Sequence, residues 1–437
     1  MENRKTCSLA VIGCGTVGGA LGIQLWKDKD LIRDKTGISL ELKYIVDVDF
    51  THARELGFSE KLYEKNLDTV LKDPDVSIVV ELIGGITTAR DVTEKCIKVG
   101  KNIVTANKAL LAHYGTELMD LARKEGVSIA FEASCAGGIP IVKALCDGLV
   151  GNRIDALYGI VNGTCNFILT AMTSRGQSYQ EALSEAQAGG LAEADPSLDV
   201  SGMDSAHKLA ILGSLAFGEK VDLDRIPVNG IDTLAKEDVI FGNELGYIVK
   251  LLAIAKRMDD GISLIVRPSF IARSHPLAWI SGPFNAVSVY GSRVGHTMYY
   301  GRGAGGSPTA SAVISDILST ALGTYGTLFT TLNIWPKSGN PANQLPREKI
   351  YSRYYIRLMV EDKIGVFAKF SSILGKHGIS ISSALQKEGT VVVPVVITTH
   401  EVLEGDLLSA LEEINSLPEV QEPAVCINII DEHAETV

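Results

Sequence analysis

The chain of 437 residues has no C-x-x-C pair, no long block of like charge and no low-complexity tract. Its cysteines, Cys7, Cys14, Cys96, Cys135, Cys146, Cys165 and Cys426, are odd in number and scattered. That argues against a disulfide framework or a cysteine-based zinc site and points to reduced thiols in a cytoplasmic protein. No window of about 18–20 apolar residues exists, so no membrane span is expected. The opening stretch, MENRKTCSLAVIGCG, runs directly into a strand, and its apolar part is too short and glycine-interrupted for a secretory signal. A formal charge of −11 argues against nucleic acid as the main partner. What is present is an ordinary globular composition, 46% hydrophobic and 21% charged, in a chain long enough for two or three domains.

Ser8–Ile12, Leu42–Val46, Val76–Leu82, Asn102–Ala106 and Val127–Ala133 are short, continuous apolar runs. Helical patterns at about 66–72, 87–99 and 115–125 separate them, with Gly100 and Gly126 where C-terminal caps belong. Strands without alternating polarity, interleaved with helices, predict a parallel sheet covered on both faces. From Pro140 the pattern changes to a mixed α+β region. It has a strand at 154–161, helices at 166–175, 179–188, 203–217 and 243–258, then strands around 262–271 and 285–300. Pro308 begins a helix to about 322, and residues 333–350 have the composition of a linker. The remainder reads βαββαβ, a ferredoxin-like plait. The expected division is 1–139, completed by about 303–330, then 140–302, a linker at 331–350, and 351–437.

Gly13-Cys14-Gly15-Thr16-Val17-Gly18 stands between a strand and a helix. In that context the glycines allow a tight turn, close backbone approach to a pyrophosphate and close helix–strand packing. The first domain is therefore Rossmann-like. Asp47, with Asp49 next, is the acid expected on the adenosine ribose. Either disfavours the 2′-phosphate of NADP and so favours NAD, while Lys43 and Arg54 keep NADP open. Glu81–Gly85, including Gly84, and Thr105-Ala-Asn107-Lys108 follow strands at the ligand-binding edge.

The densest chemistry lies in Ala186–Lys208, where Glu193, Asp195, Asp199, Asp204 and Lys208 fall close together. Asp204 and Lys208 are four apart on a mostly apolar helix and so share one face. A lysine there is suited to acid/base work, and the upstream acids to holding a cationic group. Asn162-Gly163-Thr164-Cys-Asn166 supplies amides and hydroxyls at a helix start. Glu132–Pro140 is a glycine-rich turn that either joins domains or holds a hard monovalent cation. Gly301–Ser311, with Gly303, is a second glycine loop suited to the cofactor. His275 and His296 are isolated and read as structural, and Cys135 lacks the pattern of a nucleophile.

Taken together these segments resemble homoserine dehydrogenase, over about residues 7–325. The carriers are GxGxxG, ELIGG (81–85), TANKAL (105–110), EASCAGGIP (132–140), NGTCNF (162–167), the Ala186–Lys208 signature and GRGAGGSPTASAV (301–313). The resemblance implies NAD(P)-dependent interconversion of L-homoserine and L-aspartate 4-semialdehyde. It implies Lys208 as acid/base, Lys108 beside the reacting oxygen and Asp204 orienting Lys208. Glu193 and Asp199 would bind the substrate amine, with Asn162, Gly163 and Thr164 nearby. Glu132 and the carbonyls of Cys135, Gly137 and Ile139 resemble a sodium site. The tail resembles an ACT domain through VEDKIGVF (360–367), which implies an amino-acid contact at Asp362, Ile364, Gly365 and Val366, with threonine as effector. The tail and the 243–258 helix point to a homodimer or homotetramer. No aspartokinase-like segment is seen, so a monofunctional enzyme is expected. Two competing readings remain: another NAD(P) reductase of amino-acid semialdehydes or imines, and a non-enzymatic sensor of NAD and an amino acid.

Overall fold

A computed structural model describes residues 5–433, apart from 333, 388 and 390. Six parallel strands form the first sheet: β1 (Lys5–Ile12), β2 (Ile38–Val46), β3 (Tyr63–Glu64), β4 (Val76–Glu81), β5 (Asn102–Thr105) and β6 (Ile129–Ala130). Their order is β3-β2-β1-β4-β5-β6. Chain direction across the sheet reverses between β1 and β4, which opens a ligand crevice at their carboxyl ends. The expected run 127–133 is shorter than its apolar content suggested. Only two residues pair, and Glu132–Ser134 turn away as a 3-10 helix. The Gly306–Ala321 helix returns from late in the chain to pack against the Thr16–Lys27 helix and the first sheet.

A second sheet begins with β7 (Ile154–Ile160), β8 (Tyr247–Met258), β9 (Gly261–Ala272), β10 (Phe284–Gly291) and β11 (Gly295–Arg302). Residues 247–258 were expected to be helical, and the structure overturns this. YIVKLLAIAKRM is a strand, buried along most of its length and paired with β9 from Tyr247 to Met258. A strand buried on both faces is apolar without alternation, so periodicity cannot separate it from a core helix.

The tail forms β12 (Tyr351–Glu361), β13 (Ile381–Gln386), β14 (Val392–Thr399), the short β15 (Val402–Leu403) and β16 (Val420–Ile430). Its helices are Val366–Lys376 and Glu404–Asn415. The strand order β16-β12-β14-β13 is that of a ferredoxin-like plait. One face of this sheet packs its own core, with Tyr354, Ile356, Leu358, Phe370 and Leu407. The other face sends Tyr355, Val396, Ile427 and Ile429 into the main core of the chain. At the seam β16 pairs in parallel with β9, Asn428 opposite Ser269 and Ile430 opposite Ile271, so both sheets are continuous. Asp238 joins the same two units: it accepts a bidentate ion pair from Arg357 at 2.6 and 3.0 Å and a bond from Tyr355 Oη at 2.9 Å. Between the units, Trp335 is buried beside Phe131 and donates Nε1–H to Thr116 at 3.1 Å.

Candidate active site

Gly13 lies at φ +96°, and a side chain there would meet the Leu82 backbone. Gly15 faces open space at the start of the Thr16–Lys27 helix. Gly18 is fixed by packing: a Cβ would lie 2.1 Å from the Gly13 carbonyl oxygen. Because the obstacle is backbone, Gly18→Ala must displace the turn. We expect it to abolish binding of the reduced nicotinamide dinucleotide, read by the change in nucleotide fluorescence, and to cost about 1–3 kcal/mol of stability. Unchanged binding would remove the loop from the cofactor site. Asp47 stands beside this loop. Its Oδ2 accepts the Cys14 N–H at 2.6 Å and its Oδ1 the Val48 N–H at 2.7 Å. Lys43 is taken by Asp73 and Asp75, and Arg54 lies 3.6 Å from Glu60.

Across the crevice, Glu81 ties two turns together. Its Oε2 accepts Thr105 Oγ1–H at 2.6 Å and its Oε1 the Ile83 N–H at 2.9 Å. Burial raises its pKa above the usual carboxylate value. Asn107 donates to the Gly85 carbonyl at 2.8 Å and caps the Lys108–Glu125 helix through the Leu110 N–H at 3.0 Å. Gly84 and Gly85 both have left-handed φ, which the turn requires. These bonds aim Lys108 toward the Met203–Phe217 helix.

There the geometry converges on Asp204, which is almost wholly buried. Its Oδ1 lies 2.8 Å from Lys108 Nζ and its Oδ2 2.7 Å from Lys208 Nζ. Lys208 also donates to the Val161 carbonyl at 2.6 Å. Burial alone would raise the Asp204 pKa, but the two lysines overcome it and hold the carboxyl well below its usual range. Burial likewise lowers the Lys108 pKa, and Asp204 more than reverses it, so Lys108 stays a cation at neutral pH. Asn162 donates to Asp199 at 2.7 Å and to Asp204 at 2.8 Å, and its Oδ1 caps the Gly163–Arg175 helix at the Cys165 N–H. Burial, then the charge of Asp204, pushes the Asp199 pKa up against the opposing Asn162 bond. Gly163 packs on Pro283, whose carbonyl a Cβ would approach to 2.9 Å. Thr164 donates to the Leu191 carbonyl at 2.7 Å.

Glu193 is not brought to this cluster. It is exposed, and among the described residues its side chain makes no hydrogen bond or ion pair with the lysines or Asn162. Sequence spacing placed it with Asp199, but the Asp195-Pro196 break carries the loop outward. His275 caps a 3-10 turn at the Leu277 N–H, and His296 stacks on Tyr290, both structural roles. The Cys135 thiol is buried and pushed up to about 12, as suits an inert position.

The Glu132–Pro140 turn holds two consecutive left-handed residues, Ala136 (φ 52°) and Gly137 (φ 34°). Gly137 abuts the Gly303 carbonyl, and Gly138 donates to the Arg302 carbonyl at 3.0 Å, so the second glycine loop seats here. Glu132 accepts the N–H groups of Val142 and Lys143 at 3.0 and 2.8 Å. The Ile139 carbonyl accepts the Ile141 N–H at 2.8 Å. Asp316, invisible to the sequence reading because it is far away in the chain, accepts the Glu132 N–H at 2.8 Å. Its other oxygen is buried without a hydrogen bond, 3.4 Å from Lys143 Nζ. Burial first, then the neighbouring Asp316, raises Glu132 to about 7, and burial raises Asp316 to about 6. The Lys143 ammonium stands beside Asp316 and only backbone donors reach Glu132, so two neighbouring buried carboxyls have one cation between them.

Lys250, also missed, is buried under the site. It donates to Asn166 Oδ1 at 3.0 Å and to the Ile280 carbonyl. Asn166 holds the Ile280, Gly282 and Phe284 carbonyls. Burial pushes the Lys250 ammonium down to about 8. Below that pH both folded and unfolded chains carry the charge, and the desolvation penalty is complete. Between about 8 and the unfolded value near 10.4, the unfolded chain binds the extra proton, so stability rises with pH. Denaturation of wild type and Lys250→Met across pH 8–10 should show wild type gaining relative to the variant. Parallel profiles would contradict the burial penalty.

In the Gly365 region of the tail, Gly365 has φ +88° and Ile364 is fully exposed. Val366 is buried as the first residue of its helix, and Asp362 accepts from Gln386 at 3.3 Å.

Three family models match the chain. One described as Homoserine dehydrogenase covers residues 140–318, one as Homoserine dehydrogenase, NAD binding domain, covers 13–132, and one as ACT domain covers 354–419. A homoserine dehydrogenase of Bacillus subtilis is 38% identical over 425 residues, 96% of this chain and 97% of its own. The crystal structure of a homoserine dehydrogenase from Thiobacillus denitrificans superposes with a TM-score of 0.92 at 39% identity, covering 98% of this chain and 99% of that one. A hyperthermophilic archaeal homoserine dehydrogenase in complex with NADPH matches at a TM-score of 0.60 and 26% identity, over 72% of this chain and 98% of its own.

Proposed function

The chain belongs to the homoserine dehydrogenase family, and on that premise we propose how its residues carry out the family's NAD(P)-linked oxidoreduction. The observation that carries the mechanism is Asp204 bridging Lys108 and Lys208. When bound, the nicotinamide cofactor would supply the hydride acceptor for oxidation of L-homoserine and the hydride donor for reduction of L-aspartate 4-semialdehyde. On reduction the Lys208 ammonium gives its proton to the developing alkoxide, and on oxidation Lys208, after releasing a proton to solvent, takes the hydroxyl proton, directly or through a water. Lys108, held cationic by Asp204, stabilises the oxyanion that develops on the same oxygen. Asn162 keeps Asp204 and Asp199 in register. Asp199 accepts the substrate ammonium, whose charge compensates the half-buried carboxylate. Glu193, two residues beyond the Leu191 carbonyl held by Thr164, is the outer acid for the same group.

Gly13–Gly18, Thr105, Asn107 and Lys108, with Gly84 and Gly303, would hold the cofactor. NAD is favoured over NADP, because Lys43 and Arg54 are engaged by acids while Asp47 faces the loop. The surplus charge of Glu132 and Asp316, with the Cys135, Gly137 and Ile139 carbonyls, suits a sodium ion. Residues 1–139 with the helix after Gly303 serve the cofactor, 140–302 the substrate, and 351–437 regulation. The Asp362–Val366 turn, with exposed Ile364, is the threonine contact, completed by a second copy in a cytoplasmic homodimer or homotetramer.

Steady-state oxidation of L-homoserine with NAD and with NADP, each with and without L-threonine, tests this. Turnover with NAD that threonine suppresses supports the assignment. Preference for NADP overturns the reading of Asp47. Turnover indifferent to threonine overturns the effector assignment and leaves the chemistry standing.

A further inference from the structure

A cavity of about 180 Å³ lies between the substrate unit and the plait, on the seam of β9 and β16. Its walls include Asn229, Gly230, Arg267, Arg347, Glu404 and Asn428. Drug-sized ligands need about 300–1,000 Å³, so its occupant is small. Arg267 donates through Nη1 to both oxygens of Glu404 at 2.9 Å, and Arg347 donates to Oε1 at 2.6 Å. Tyr354 Oη adds a bond to Oε2 at 3.0 Å. Two guanidinium groups thus share one carboxylate, leaving one positive charge in excess. Arg267 Nε and Asn428 Nδ2 are buried donors without partners. Buried unpaired donors cost stability unless something accepts from them.

We propose that this cavity binds a small aliphatic carboxylate, recognised by the excess charge of Arg267 and Arg347 and by the unpaired amide nitrogen of Asn428, whose oxygen accepts from Ser269. Glu404 already accepts from three side chains, and Asp238 is taken by Arg357 and Tyr355, so no anion remains for an ammonium group. The site therefore reads carboxylate, not amino acid. That separates it from the Asp362–Val366 turn. It also touches the catalytic machinery. A Cβ on Gly230 would lie 2.3 Å from the Val200 carbonyl oxygen, and Ile231 donates its N–H there at 2.8 Å. Val200 follows Asp199, and Gly202 starts the helix that carries Asp204 and Lys208. Occupancy pushes on the turn that positions the substrate amine contact, so it changes KM for homoserine more than kcat.

The test uses the full chain with acetate, 3-hydroxybutyrate and L-threonine as sodium salts or zwitterion, against chloride at equal ionic strength. Acetate and 3-hydroxybutyrate should raise Tm, and 3-hydroxybutyrate should shift KM for L-homoserine about five-fold or more. Asn428→Leu and Arg347→Met should each remove the Tm rise, the second without breaking the Arg267–Glu404 pair. Ile364→Ser, at the exposed turn of the plait, should keep it. No rise with any carboxylate, a rise with L-threonine alone, or a rise that survives both variants overturns the proposal. Turnover without added carboxylate reports separately on the oxidoreductase, so failure of either reading can be told apart.

Discussion

Lys208→Ala is expected to lower kcat for homoserine oxidation by ~10²–10⁴-fold while the NAD(P) cofactor still binds. The size follows from what is lost and what stays. Asp204 keeps its 2.8 Å contact with Lys108 and its bond from Asn162, so the buried carboxylate is not orphaned. The Met203–Phe217 helix gains an alanine, the best helix former, where it loses a lysine. The defect should therefore appear in the proton-transfer step and not in folding. Single-turnover hydride transfer, followed by nicotinamide absorbance, is the measurement. Lys208→Arg preserves charge yet cannot release a proton at neutral pH, so it should be nearly as slow as alanine. A variant that keeps a tenth or more of wild-type turnover would mean that Lys108 or a water is the acid/base group.

The second large effect is on stability. Asp238→Ala should cost ~3–5 kcal/mol, because it leaves the buried guanidinium of Arg357 and the buried Tyr355 hydroxyl without their acceptor. Removing both members of the pair, as Asp238→Ala with Arg357→Met, should restore much of that loss, since no isolated charge remains. Urea denaturation of the two variants reads the difference. Equal destabilisation by single and double variants would show that cavity formation, and not the stranded charge, sets the cost.

Much of this was visible in the sequence for definite reasons. The Gly13–Gly18 turn and the apolar run before it obey local rules: a backbone clash forbids any side chain at Gly18, and a twice-covered strand must be apolar throughout. Asp204 and Lys208 were legible because four residues on a helix always share a face. What escaped notice depends on partners distant in the chain. Asp316 meets Glu132 only because the Gly306–Ala321 helix returns to the first sheet, and Lys250 sits under Asn166 only because 247–258 is a strand. The misreading of that strand has the same root, since lysine and arginine set in a continuous apolar run imitate a helical face. Glu193 differs from Asp204 in the opposite way. Its closeness in sequence was real, but a loop broken by proline does not convert closeness into contact.

The parallel pairing of β16 with β9 has a consequence for biogenesis. On the ribosome β9 emerges well before β16, so its Ser269–Ile271 edge, the stretch that β16 covers, waits with unpaired N–H and C=O groups while the plait is being made. An uncovered edge is a template for pairing with any strand that arrives first, including the same edge on another nascent chain. Shortened messages that stop before Val420 should accordingly yield aggregates, even though every residue of the catalytic cluster has been synthesised.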